Sequence, residues 1–172
     1  MKKNLPTRKK IRLNDYDYSK ENMYFITICV KDRLEIFGKI LENNIKLTKK
    51  GIIVKQNIYG IEEIYKNVLV DEYIIMPNHV HMLISIQYKS NATISKIIKH
   101  FKANISREIG CLIWQKSFYE HIIRNEKEYI EIKEYIRNNI AKWENDKYFN
   151  RAIKIAPTLT LQILIFFWNI IL

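Results

Sequence analysis

Two histidines separated by one residue, His79 and His81, and a tyrosine and an asparagine four apart, Tyr135 and Asn139, are the residues of this chain best suited to chemistry. His79 and His81 open an alternating run in which Val80, Met82, Ile84 and Ile86 are apolar. Side chains alternate between the faces of a strand, so both imidazoles share a face with Leu83 and Ser85, about 7 Å apart along the backbone. That is close enough to share one metal ion. Tyr135 and Asn139 project as neighbours from one face of a helix. A carboxamide turned towards an interior costs about 1–3 kcal/mol if unpaired, and a metal ion is a good partner for its oxygen. Taken singly, the histidine pair is equally well explained by hydrogen bonding on a polar strand face. Tyr135 alone is better explained as a packing residue, since the chain has 11 tyrosines and most must simply pack. Taken together, they describe a metal site with a nucleophile beside it. A phenol of pKa about 10 attacks phosphorus poorly, unless a cation withdraws charge from the phosphate, an effect worth several kcal/mol. The product would be a phosphotyrosine, which conserves the energy of the broken phosphodiester for rejoining.

The elements that must position these groups can be read from periodicity. Met23 to Val30 is β-branched and aromatic and predicts a central strand. A turn is expected at Phe37-Gly38, and a helix over Thr48 to Tyr65, weakened by Gly60. Val68 to Met76 predicts a strand that turns back through Met76-Pro77-Asn78-His79 into an antiparallel partner, His79 to Ile86. Ser95 to Ile109 predicts an amphipathic helix, Ser117 to Arg124 a short strand, and Glu126 to Trp143 a last helix carrying Tyr135 and Asn139. The order fits an α+β, ferredoxin-like split βαβ fold: an antiparallel sheet with helices on one face, plus a C-terminal catalytic helix.

Composition sets the partner class. The chain has 172 residues, 48% of them hydrophobic, enough for one domain with a core. Lys and Arg number 29 against 18 Asp and Glu, a net charge of +11 that favours a polyanion, either nucleic acid or an anionic membrane surface. Arg8, Lys9, Lys10 and Arg12 belong to a basic arm over residues 1–12. The arm either lies along phosphates or solubilises the chain. Lys96, Lys99 and Lys102 form a basic helix face with the same two readings. Tyr119 could stack on an unpaired base. Cys29 and Cys111 have no metal spacing and read as buried thiols in a reducing cytoplasm. No secretory signal opens the chain. The apolar tail Leu159 to Leu172 is shorter than the roughly 20 residues of a membrane helix and reads as a packing element or an aberrant extension. The expected organisation is the arm, a domain over residues 13–150 and a tail over 151–172.

From about Arg8 to Phe149 the sequence resembles the one-tyrosine transposases of the HUH superfamily, in particular the REP-associated tyrosine transposases. The resemblance rests on Ile11-Arg12-Leu13 with Tyr16-Asp17-Tyr18; on Tyr24-Phe25-Ile26-Thr27-Ile28-Cys29; and on Met76-Pro77-Asn78-His79-Val80-His81. It continues in Trp114-Gln115 with Tyr119-Glu120-His121-Ile122-Ile123-Arg124, and in Tyr135-Ile136-Arg137-Asn138-Asn139. It implies cutting and rejoining of single-stranded DNA beside hairpins with Mg²⁺ or Mn²⁺. It implies His79, His81 and Asn139 as metal ligands and Tyr135 as the nucleophile that takes the 5′ phosphate. His121 and Arg124 fall in a recurrent family segment and are candidates for DNA contact. The family commonly has Pro after the asparagine; Ile140 stands there and is expected to continue the helix. The resemblance allows a monomer, or a homodimer in which the tyrosine helix comes from the partner. Two other classes fit parts of the pattern: a hairpin-binding protein without cleavage activity, and a zinc-type metalloenzyme that leaves Tyr135 and the positive charge unused.

Overall fold

A computed structural model describes residues 21–88 and 93–143. The basic arm and the apolar tail therefore lie outside the described residues. Strands β1 (Asn22–Cys29), β4 (Val68–Met76), β5 (His79–Ile86) and β6 (Tyr119–Ile122) form one antiparallel sheet in the order β4-β5-β1-β6. A separate hairpin, β2 (Gly38–Leu41) and β3 (Asn44–Leu47), precedes helix α1 (Lys49–Ile64). Helix α2 (Ile94–Ile109) links β5 to β6, and α3 (Glu126–Arg137) follows β6. Without the hairpin this is the split βαβ arrangement expected from the sequence.

Alternation builds the two faces. Tyr24, Ile26 and Ile28 of β1 and Val80, Met82, Ile84 and Ile86 of β5 point towards α1 and α2, where they meet Val54, Ile58, Ile97, Ile98, Phe101 and Ile105 in one core. Each such aliphatic side chain contributes about 1.5–3 kcal/mol by leaving water. Phe25, Thr27, His79, His81 and Leu83 take the opposite face. There α3 packs Ile136 against Leu83 and Ile123. Helices therefore cover both faces, with α3 alone on the histidine side.

Three expectations change. Gly38 begins a strand; the turn falls at Glu42 and Asn43, whose φ values of 50° and 60° match a tight hairpin turn. Gly60 does not interrupt α1. Cys29 is only half-buried and Cys111 is exposed, because Gly110, with φ 82°, ends α2 and turns the chain out into the α2–β6 loop.

Gly51, in the first turn of α1, is required for packing. A Cβ there would stand 2.1 Å from the carbonyl oxygen of Phe37, and backbone cannot yield as a side-chain tip can. Gly51→Ala is expected to lower unfolding stability by about 3 kcal/mol or more. Chemical denaturation would read this, and an unchanged midpoint would contradict it.

Candidate active site

The tight turn at Pro77 and Asn78 places His79 at the first position of β5, opposite Cys29, with His81 opposite Thr27. Both imidazoles are buried, 0% and 1% exposed, so their ring nitrogens need partners. His79 Nδ1 lies 2.9 Å from Asn78 Oδ1. The Asn78 amide is itself fixed, because its Nδ2 donates to the Arg33 carbonyl at 3.1 Å. Asn78 thus presents an acceptor, His79 carries its proton on Nδ1, and Nε2 keeps a lone pair. His81 Nδ1 is 2.8 Å from Thr27 Oγ1. A hydroxyl can donate or accept, so Thr27 serves either tautomer of His81. The two Nε2 atoms face one another at 3.0 Å. The neighbouring strand register, rather than the histidine strand itself, supplies Thr27.

Helix α3 brings the phenol. Tyr135 Oη lies 3.3 Å from His81 Nε2, and the ring, 36% exposed, remains open to solvent. Phe25 holds both groups: it stacks on His81 at 5.2 Å and meets Tyr135 edge-on at 6.0 Å. Polar ties fix the helix on the sheet. Asn125 caps its N-terminus by accepting from the Glu128 amide. The Glu128 carboxylate accepts from the Arg124 amide and bonds the His121 ring. Those bonds hold Glu128 below the ordinary carboxylate range, the Arg124 amide first and His121 next. This tie therefore stands at neutral pH and is lost only as acid protonates Glu128. Lys133 pairs with Asp71 at 3.1 Å and Arg137 with Glu72 at 2.9 Å, joining α3 to β4.

Asn139 is not on the helix. The α-helix ends at Arg137, with Asn138 as its C-cap, and the chain tightens through i to i+3 bonds: Asn139 N to Ile136 O, Lys142 N to Asn139 O, and Trp143 N to Ile140 O. Consecutive asparagines are poor helix formers, and Ile140 does not continue the α-helix as expected. The tighter path buries Asn139 at 2% exposure and sets the Trp143 ring 5.9 Å from His79. Asn139 Oδ1 is buried and accepts no hydrogen bond among the described residues. The groups able to hold a cation are His79 Nε2, His81 Nε2 and the Asn139 oxygen. Among the described residues no cluster of three or more His, Cys, Asp or Glu side chains could do so.

His79, His81, Tyr135 and Asn139 thus lie on one side of the sheet, in a single chain. The other candidates separate. Tyr119, 45% exposed, lies on the same face beside Phe25. His121 is engaged with Glu128, and Arg124 is exposed at the start of α3. Lys96 and Lys99 are exposed on α2, across the sheet from the histidines. Lys102 is a loop strut: its Nζ donates to the Gln115 carbonyl at 2.7 Å, and burial lowers its pKa. Arg8, Lys9, Lys10 and Arg12 lie outside the described residues. Sequence reasoning missed Thr27, Asn78, Phe25 and Trp143. The motif Tyr24 to Cys29 contains two of them, but only the register shows which residue meets which histidine.

Residues 18–139 match the family model described as "Transposase IS200 like". A Haemophilus influenzae protein without a characterised function is 37% identical over 167 residues, covering 83% of this chain and 93% of that one. A second H. influenzae protein, provisionally named a REP-associated tyrosine transposase, is 27% identical over 140 residues, covering 73% and 74%. A solved structure of a REP-associated tyrosine transposase bound to a REP hairpin shares the fold, with a TM-score of 0.61 at 21% identity over 76% of this chain and 73% of that one. The match over residues 18–139, most of the chain, makes this protein a member of the IS200-like transposase family.

Proposed function

We propose that this transposase nicks and rejoins single-stranded DNA beside a hairpin through a 5′-phosphotyrosine at Tyr135, with a divalent ion, Mg²⁺ or Mn²⁺, at His79, His81 and Asn139. The observation that carries the reading is the 3.3 Å approach of the Tyr135 hydroxyl to a histidine nitrogen that faces a second one at 3.0 Å.

The donor set fits such an ion. With His79 protonated on Nδ1, and His81 likewise when Thr27 accepts, two unprotonated nitrogens lie 3.0 Å apart, and a cation held beside both would offset their repulsion. Adjacent ligands of an octahedral ion with bonds of about 2.1 Å lie about 3 Å apart. The uncompensated Asn139 oxygen is a third donor of the right hardness. With few protein donors, room is left for phosphate oxygens of the substrate. When bound, the ion would withdraw charge from the phosphate and stabilise the charge that develops during displacement.

Tyr135 Oη attacks phosphorus, the bond from phosphorus to the 3′ oxygen breaks, and that oxygen takes a proton from solvent, so the released strand leaves with a 3′ hydroxyl. The phenol proton passes to solvent, to which Tyr135 is open. Rejoining is the reverse, with a 3′ hydroxyl attacking the phosphotyrosine. Phe25 and the ties of α3 to Asp71, Glu72 and His121 keep the phenol near its attack position, which saves much of the entropy of bringing nucleophile and phosphate together. Within the single chain, Tyr135 on α3 already reaches His81 on β5. Hairpin recognition rests on the resemblance to the hairpin-bound relative.

Incubating the protein with Mn²⁺ and labelled single-stranded DNA bearing a hairpin tests the reading. A slow-migrating covalent species on a denaturing gel is expected. Tight hairpin binding with no such species in any divalent metal would replace the reading with that of a hairpin-binding protein lacking cleavage activity.

Thr27 should matter to the ion without touching it. Thr27→Val keeps the shape and removes the partner of His81 Nδ1. Mn²⁺ affinity measured by calorimetry on the folded protein is expected to fall about 10–100-fold, with a stability loss of about 1–3 kcal/mol from the broken buried hydrogen bond. Wild-type affinity would show that His81 needs no such support.

A further inference from the structure

On the helix side of the sheet, a groove of about 960 Å³ opens between the C-terminal half of α2, the α2–β6 loop and the residues after β1. Its lining includes Lys31, Arg107, Leu112, Trp114 and Lys116, and none of its lining residues is acidic. Lys31, Arg107 and Lys116 are exposed. Leu112 is 87% exposed, the most exposed of the large apolar side chains among the described residues. The groove is braced: Lys102 holds the Gln115 carbonyl, Gln115 N donates to Cys29 O, and Lys31 N donates to Ile113 O. Trp114 forms its floor, packed 5.3 Å from Phe37 and 6.1 Å from Phe101.

We propose that this groove holds an unpaired nucleotide of the DNA substrate, its base against Leu112 and the Trp114 floor and its phosphates on Lys31 and Lys116. The inference rests on the DNA reading given above and extends it to a second contact region. Charge complementarity selects the occupant: an apolar slot walled by cations suits a planar base on a polyanionic strand, and poorly suits a neutral peptide. The carbonyls that end α2 disfavour an anion beside them. Phosphates therefore belong to the lysine rim and the base to the apolar centre. Position supports the assignment. Its lining residue Lys31 comes two residues after Cys29, the strand partner of His79, so the groove flanks the active-site end of β1. A duplex would meet only the rim, because its bases are already stacked and cannot enter the slot.

The test uses the full-length chain carrying Tyr135→Phe, so that no covalent product disturbs the equilibrium. Fluorescence anisotropy would follow a labelled oligothymidylate of about 15 nucleotides and a duplex of the same length. Lys31→Glu with Lys116→Glu is expected to weaken the single strand at least about tenfold and to reduce the salt slope by about two. Leu112→Ala should weaken the single strand about threefold or more, with the salt slope and duplex binding unchanged. Both changes are at exposed positions, and melting curves would verify the fold. Wild-type single-strand affinity in both variants would overturn the proposal, as would equal losses on duplex and single strand in Leu112→Ala. A native chain that makes no covalent species, with the groove effects intact, would overturn the cleavage reading and leave the groove standing. A native chain that cleaves, with both groove variants neutral, would overturn the groove alone.

Discussion

Replacing Tyr135 with phenylalanine is expected to reduce covalent capture of DNA by at least about 10³-fold while leaving the affinity for a hairpin oligonucleotide within about twofold. The hydroxyl is the one oxygen lost, the ring is about one-third exposed, and its edge contact with Phe25 does not use the oxygen. Stability should therefore change little. The split between lost chemistry and retained binding separates a nucleophile from a stacking residue, because a stacking ring without its hydroxyl would leave both unchanged. Denaturing gels and anisotropy measured on the same preparation read the two quantities. A covalent species undiminished in Tyr135→Phe would place the nucleophile elsewhere, with the exposed Tyr119 on the same face as the next candidate.

The second large effect belongs to the histidines. His79→Ala or His81→Ala is expected to lower Mn²⁺ affinity by more than Thr27→Val does, and to slow DNA cleavage by about 10³-fold, the rate equivalent of several kcal/mol of charge stabilisation. Each also leaves a buried partner unsatisfied: Asn78 Oδ1 in the first case, Thr27 Oγ1 in the second. A stability loss of about 1–3 kcal/mol should accompany the change. Calorimetry on the folded fraction keeps the two effects apart. Metal affinity and cleavage both unaffected in a folded His79→Ala protein would mean that the imidazole pair is a structural hydrogen bond.

Legibility from sequence followed the range of the interactions involved. Strand β5 could be read residue for residue, because alternation and a Pro-Asn turn are local signals and both faces of the strand obey them. The helices α1 and α2 were nearly as plain from their apolar stripes, although their N-caps, Thr48 and Thr93, emerge only in the structure. The β2–β3 hairpin was not legible. Its strands are only four residues long, and its turn uses Glu42 and Asn43 in left-handed conformations without a glycine. The end of α3 was hidden for a different reason. The pattern of Ile132, Ile136, Ile140 and Trp143 looks helical throughout, yet the chain takes tighter turns after Arg137, with Asn139 buried and Trp143 brought against His79.

For the site itself, residue types and spacing nominated His79, His81, Tyr135 and Asn139 only as a set, since the histidine pair or the tyrosine alone has an ordinary hydrogen-bonding or packing explanation. Their support was not visible. Thr27 reads as one β-branched residue among several until the register sets it opposite His81. Asn78 reads as a turn residue until its amide is seen to bridge Arg33 and His79. The role of Lys102 changed because an amphipathic plot cannot tell a solvated lysine from one that braces a loop.

Peptide mapping of the covalent species is the most direct measurement of the central claim. The protein would be incubated with Mn²⁺ and hairpin-bearing single-stranded DNA, denatured, digested with nuclease and protease, and analysed by mass spectrometry for a tyrosine bearing a nucleotide through its 5′ phosphate. The account predicts that modification on Tyr135 alone, abolished by chelation of the metal. A nucleotide on any other residue, or the same yield on Tyr135 after complete chelation, would contradict it.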